Sequence, residues 1–149
     1  MFQGGAHVTD RKEIEAILDH YRTAVYAKDV DAFIELYDDD ACVFDLWGSW
    51  LYRGSAEWRK PAAEWFGSLG TERSSPEFHD VQIDAGDGVA AVHAFVTYKG
   101  LSAEGKELRS MDNRITWVLR KNNEGAWKIV HEHTSAPADF ETGKVTLRR

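Results

Sequence analysis

Residues 111–135, MDNRITWVLRKNNEGAWKIVHEHTS, decide how the chain is read. They form the heart of two long strands, residues 108–120 and 126–135, joined by a short polar turn. Among these strand formers sit Arg114, His131, Glu132 and His133. Charged groups in strands that must cover a core need partners or a cavity, and the pattern points to a small-molecule pocket.

Working outward, residues 77–83 and 89–98 are the preceding strands, so the C-terminal half is a four-stranded antiparallel meander. Alternation places Val92, Ala94, Val96 and Tyr98 together on one face. Upstream the period is helical. Ile14, Ile17, Leu18, Tyr21 and Val25 form one stripe on a helix over residues 10–28, with Asp10 and Glu13 as a capping pair. Asp29 caps a second helix over residues 30–37, ended by the acidic run at 38–40. Short strands follow at 42–46 and 50–52. A third helix runs from Gly54 and Ser55 to Leu69, with Trp58, Ala62, Trp65 and Phe66 inward. Pro61 either kinks that helix or marks its start. The expected fold is α+β: three helices packed in a strongly curved, mainly antiparallel sheet that leaves a cavity at its open end. Residues 9–137 are one domain, and 138–149 are a tail that lies on the surface or crosses to a partner.

Composition narrows the function. With 149 residues, 43% hydrophobic content and six tryptophans, the chain has material for one real core. A formal net charge of −7 argues against nucleic acid or an anionic membrane as partner. A single cysteine, Cys42, no apolar run near about 20 residues, and no signal-peptide pattern at the start fit a cytoplasmic home. Residues 1–8, which include a vector-like FQGG, carry no functional weight here.

The order of elements, the segment DHYRTAVYAKDVDAFIELYDDDACVFD (19–45) and the ending RITWVLRKNNEGAWKIVHEHTSAP (114–137) resemble the NTF2-like superfamily. Within it, SnoaL-like, ketosteroid-isomerase-like and DUF4440-type members are similar. The ending also resembles the association domain of calcium/calmodulin-dependent kinase II. This implies an NTF2-like cone and one of two activities. The first is a cofactor-independent isomerase, cyclase or dehydratase that moves a proton on a carbonyl-containing or aromatic substrate. The alternative is a non-catalytic binding or oligomerisation module. The resemblance to ketosteroid isomerase puts Tyr21 at its oxyanion-stabilising tyrosine and Asp45 at its general base. Thr116 or Trp117 stands where its second acid belongs, and neither is an acid. The association domain carries Arg114 onto a pocket arginine and Trp58 onto a pocket position. Val96 and Thr134 replace two of its arginines.

The residues themselves leave alternatives open. Asp45, beside Phe44 and on the face of Val43 and Trp47, is a desolvated pocket carboxylate, an exposed strand-end aspartate or the partner of Arg114. Tyr21 is an oxyanion donor or a core tyrosine. Strand parity groups Asp112, Arg114 and Thr116 toward the pocket with Glu132 and Thr134. Arg114 is then a ligand anchor or half of a buried pair with Glu132. Trp47, Trp58, Phe66 and Tyr98 complete the expected wall. His131 and His133 have a zinc-chelating spacing, but His93 lies two strands away, so no metal is expected. The same parity turns both histidines outward with Ile115, Trp117, Trp127 and Ile129, an apolar face suited to a homodimer. The opposite parity brings the histidines, His133 included, into the cavity as acid–base groups.

Overall fold

The computed structural model describes residues 8–149; residues 1–7, given no functional weight above, lie outside the described residues. The chain runs α1 (Val8–Ala27), α2 (Val30–Glu35), β1 (Tyr37–Phe44), β2 (Tyr52–Arg53) and α3 (Ser55–Ser68). It continues through β3 (Arg73–Ala85), β4 (Val89–Leu101), β5 (Glu107–Lys121) and β6 (Trp127–Ser135). The fold is α+β, a six-stranded, mostly antiparallel sheet in the order β2-β1-β6-β5-β4-β3, with three helices. No helix among the described residues is long and apolar enough to cross a membrane.

The meander β3–β6 forms as its alternation predicts, and β1 joins it by pairing in parallel with β6. α1 buries Ile14, Ile17, Leu18, Tyr21 and Val25 along one side and packs on β3. Asp10 is not its cap. It sits in the first turn and takes bonds from Lys121 Nζ at 2.9 Å and Trp127 Nε1 at 3.3 Å, tying α1 to the sheet. Asp29 does cap α2, accepting from the Ala32 N–H at 3.0 Å.

Several boundaries differ from the periodic reading. α2 stops at Glu35, and the acidic run 38–40 lies inside β1 instead of ending a helix, in an irregular stretch between the β6 pairs Tyr37–Ile129 and Cys42–His131. Pro61 lies inside α3 and does not start it. The tail turns back over its own sheet. Asp112 N–H donates to Leu147 O at 2.7 Å, and the Arg149 guanidinium sits 3.8 Å over the Phe95 ring while pairing with Asp80 at 2.9 Å.

The largest correction concerns which face of β5 looks inward. Asn113, Ile115, Trp117 and Leu119 are buried, while Arg114, Thr116 and Arg120 are exposed. Ile115, Trp117, Trp127 and Ile129, expected at a dimer surface, are core residues. A bulge in β6 explains part of this. His131 pairs with Val118 and Ile129 pairs with Leu119, so Val130 is skipped and the inward parity changes along the strand. Trp127 and Ile129 therefore point inward, as do Glu132 and Thr134 further along.

Candidate functional site

The site begins with an aromatic floor. Phe33 of α2 lies 5.3 Å from the Tyr21 ring of α1, 5.4 Å from Tyr37 and 5.5 Å from Phe66 of α3. These contacts fix the phenols of Tyr21 and Tyr37 toward the sheet. Tyr37, the first residue of β1, donates to Glu132 Oε1 at 2.5 Å. Trp117, opposite Glu132 in the β5–β6 register, donates its indole N–H to the same oxygen at 2.9 Å. Both bonds fall on Oε1. Glu132 is 1% exposed, and burial pushes its carboxyl up to about 7, against the pull of its two donors.

Asp45 lies just beyond the end of β1, on the inward side shared with Val43. Thr134 links it to β6: the Leu46 N–H donates to Thr134 Oγ1 at 2.8 Å, and that hydroxyl donates to Asp45 Oδ1 at 3.1 Å. The Trp47 N–H holds Oδ2 at 3.2 Å. Burial raises the Asp45 pKa, and these donors hold back part of the rise. Tyr21 and Tyr98 meet hydroxyl to hydroxyl at 2.8 Å. Burial raises both pKa values, so both remain phenols able to donate.

A cavity of about 660 Å³ opens over this cluster. Asp45, Glu132, Tyr21 and Tyr98 line it, with Trp47, Tyr52, Trp58 and Trp65 as aromatic walls. Tyr98 stands 5.7 Å from the Trp65 ring, and Tyr52 stands 5.3 Å from Trp58. Toward the start of β5 the lining passes through Asn113 and Met111 to Arg109, whose side chain crosses the face of Gly100 and pairs with Glu72 at 2.6 Å. An aromatic shell around a few convergent polar groups is the usual build of a small-molecule site.

The model of one family, described as a SnoaL-like domain, matches residues 14–139, most of the chain and all of the elements that line the cavity. The chain belongs to the SnoaL-like domain family. Its fold is that of the NTF2-like superfamily. A Pseudomonas putida KT2440 protein, described as NTF2-like and of unknown function, superposes with a TM-score of 0.83 at 24% identity, over 96% of this chain and 97% of that one. A Xanthomonas campestris protein assigned as a calcium/calmodulin-dependent protein kinase II association domain gives 0.71 at 18%, over 91% and 95%. A Novosphingobium aromaticivorans protein assigned as an aromatic ring hydroxylase gives 0.68 at 21%, over 87% and 90%. These likenesses are of fold. No curated protein matches the chain in sequence.

In this SnoaL-like domain the expected site residues separate into two groups. Asp45, Tyr21, Tyr98, Glu132, Trp47 and Trp58 line one cavity, and Thr134 stands behind it on Asp45. Phe66 is a core residue packed on Phe33 and does not line the cavity. Arg114 is not a pocket residue. It projects from the opposite face of β5 and donates to Ser135 Oγ at 2.9 Å, because Ile115 and Trp117 take the inner positions. Neither Asp45 nor Glu132 is its partner. His133 is also outside, with its ring 5.5 Å from Phe44, and His131 bonds Cys42 O through Nδ1 at 2.8 Å. Among the described residues no three His, Cys, Asp or Glu side chains gather as metal ligands.

The sequence reading missed Tyr37, Asn113, Met111 and Arg109 of this SnoaL-like domain. Tyr37 was placed on a helix, and the β5 residues had the wrong parity. The available signal was the apolar set Ile115, Trp117 and Leu119, which shares its parity with all three missed β5 positions.

Proposed function

We propose that this SnoaL-like domain binds a carbonyl-containing ring compound and moves a proton on it, as an isomerase, cyclase or dehydratase does. The observation that carries this reading is that Asp45 and Glu132, two of the carboxyls lining the cavity, are held among the described residues by neutral donors alone: Tyr37 and Trp117 on Glu132, Thr134 and the Trp47 N–H on Asp45. Burial without a cation raises a carboxyl's pKa, which suits it to take and give a proton. Asp45 is the base in this proposal. Glu132, whose pKa is raised to about 7 by burial with a smaller push from the charge of Asp45, is the second proton carrier. The Tyr21–Tyr98 pair holds the substrate oxygen as it gains negative charge, and the phenols stay protonated because burial keeps their pKa high. The aromatic walls suit a planar ring, and one fold neighbour carries a name that refers to aromatic rings.

Deuterium uptake at the carbon next to the carbonyl of 1-tetralone and 2-tetralone, followed by NMR, tests the chemistry. The wild-type protein accelerates exchange over buffer, and Asp45→Asn lowers the rate by roughly 100-fold or more. An equal rate in Asp45→Asn removes Asp45 from the mechanism.

A second reading, ligand binding without chemistry, draws on the locking of Glu132 Oε1 by two donors, as in a structural buried carboxyl. Binding of either tetralone without any accelerated exchange favours it. In both readings residues 9–137 are the ligand-binding unit and 138–149 its tail. Both also keep self-association on the outer sheet face, now through exposed Phe44 beside His131 and His133. Sedimentation velocity of Phe44→Glu should then give monomers from a wild-type dimer, and a wild-type monomer ends that part of the proposal.

A further inference from the structure

Arg109 stands near the start of β5, well along the strand from Trp117 and the Glu132 it faces. Among the described residues it is the one cation of the cavity lining, where the carboxyls are Asp45, Glu64 and Glu132. The proton-transfer reading gives it no task.

The guanidinium has a prepared seat. The register partner of Arg109 on β4 is Gly100, and the partner of Gly100 on β3 is Ser74, so the three form one row across the sheet. A Cβ at Gly100 would come within 3.2 Å of Arg109 Cγ, 3.3 Å of Cζ and 3.4 Å of Nε. The arginine therefore lies flat where another side chain would stand, which is the use of a glycine inside a strand. Glu72 accepts from Nη2 at 2.6 Å and holds one edge. Glu72 is placed in turn by Lys28, whose Nζ bonds the Gly70 and Glu72 carbonyls at 2.6 and 3.0 Å. Glu72 is the one hydrogen-bond partner of the guanidinium among the described residues, so donors are left over. The Arg109 side chain is 58% exposed, which leaves those donors within reach of a ligand. Ser74, on the same row, brings a hydroxyl to the lining.

We propose that Arg109 is the anion anchor of the cavity and that the ligand carries a carboxylate on its ring system. A planar fork fixed at one edge, with free donors at the other, suits a second carboxylate bidentately. The ring lies one step further in. Tyr98 is the register partner of Met111, two residues and about 7 Å along β5 from Arg109, and its ring stands against Trp65. An aromatic carboxylate covers that step. The acids elsewhere in the lining repel an anion and so fix the ligand's direction, carboxylate at Arg109 and neutral end toward Asp45 and Glu132. Joined to the proton-transfer reading, this makes the substrate a ring keto acid; the carboxylate itself rests on Arg109 alone.

Calorimetric titration with 2-naphthoate and 2-naphthamide tests this, because the two have nearly the same shape and differ in charge. Each is titrated up to about 1 mM at pH 7 and low ionic strength into wild type and Arg109→Met. Wild type should bind the carboxylate roughly fivefold or more tightly than the amide. In Arg109→Met, which keeps the apolar stem, the preference should vanish or reverse, since only acids remain charged in the lining, while the amide binds as before. The proposal is overturned if wild type does not prefer naphthoate, binds neither probe, or if the preference survives in the variant. Arg109→Gln replaces the methionine variant if that one does not fold, and the wild-type comparison stands by itself. Neither probe is a ketone, so the result is independent of the proton-transfer reading. Naphthoate preference without tetralone exchange removes that reading and leaves the anchor; exchange without the preference removes the anchor alone.

Discussion

The Tyr37 phenol donates to Glu132 Oε1 at 2.5 Å and so joins the first residue of β1 to the last strand of the sheet. The bond crosses the parallel β1–β6 pairing that attaches the N-terminal half to the meander. It has an electrostatic consequence too: this donor is the largest influence pulling the Glu132 pKa back toward the ordinary carboxylate range. Tyr37→Phe should therefore raise the Glu132 pKa further. The falling limb of the tetralone exchange rate, plotted against pH, where Glu132 loses its proton, should shift to higher pH. Stability should fall by about 1–2 kcal/mol, read from the urea midpoint. A folded Tyr37→Phe protein with an unmoved limb would detach Glu132 from the chemistry.

Glu132 itself should leave a mark on stability against pH. Its folded pKa of about 7 lies above its ordinary value of 4.5, so the folded state keeps a proton that the unfolded state has released. Below about 4.5 the group costs nothing; as pH rises through 7 the folded state is penalised, to a total of about 3 kcal/mol. Asp45, also raised by burial, adds to the same trend. Glu132→Gln keeps an acceptor for Tyr37 and Trp117 but removes the titration. The variant should be more stable than wild type at pH 8 and nearly equal to it at pH 5, measured by thermal melts at both values. Parallel wild-type and variant curves across that interval would show that Glu132 is not held protonated.

Trp117 and Arg114, three residues apart on one strand, should behave oppositely. Trp117 is 1% exposed, touches Tyr21 and Phe78, and bonds Glu132. Trp117→Ala should cost about 3–5 kcal/mol in urea denaturation. Arg114 is exposed and bonds only Ser135 Oγ, so Arg114→Ala should change stability by no more than about 0.5 kcal/mol. It should also leave tetralone binding intact. Loss of binding in Arg114→Ala would mean that the two faces of β5 are exchanged in solution.

Much of the architecture is legible in the sequence because it depends on local periods. The stripe from Ile14 to Val25, the Asp29 cap and the four-strand meander all follow from spacing that any single element displays by itself. The inward placement of Asp45, on the side of Val43, is of the same kind.

Only the tertiary structure decided which face of β5 is inside and what surrounds Glu132. A period of two says which residues travel together, and Arg114 does travel with Asp112 and Thr116. It does not say which set is buried. That choice rests on competition for the core, won by Ile115, Trp117 and Leu119 because an arginine in their place would bury a charge with no partner. The skipped Val130 then lets Ile129 and Glu132 point the same way although they are three residues apart. No alternation rule predicts a bulge, and Tyr37 reaches Glu132 only once β1 has paired with β6. The carboxyl groups were visible in the chain. Their neutral partners, and the seat of Arg109 over Gly100 in the same cavity, exist only once the sheet has curled around them.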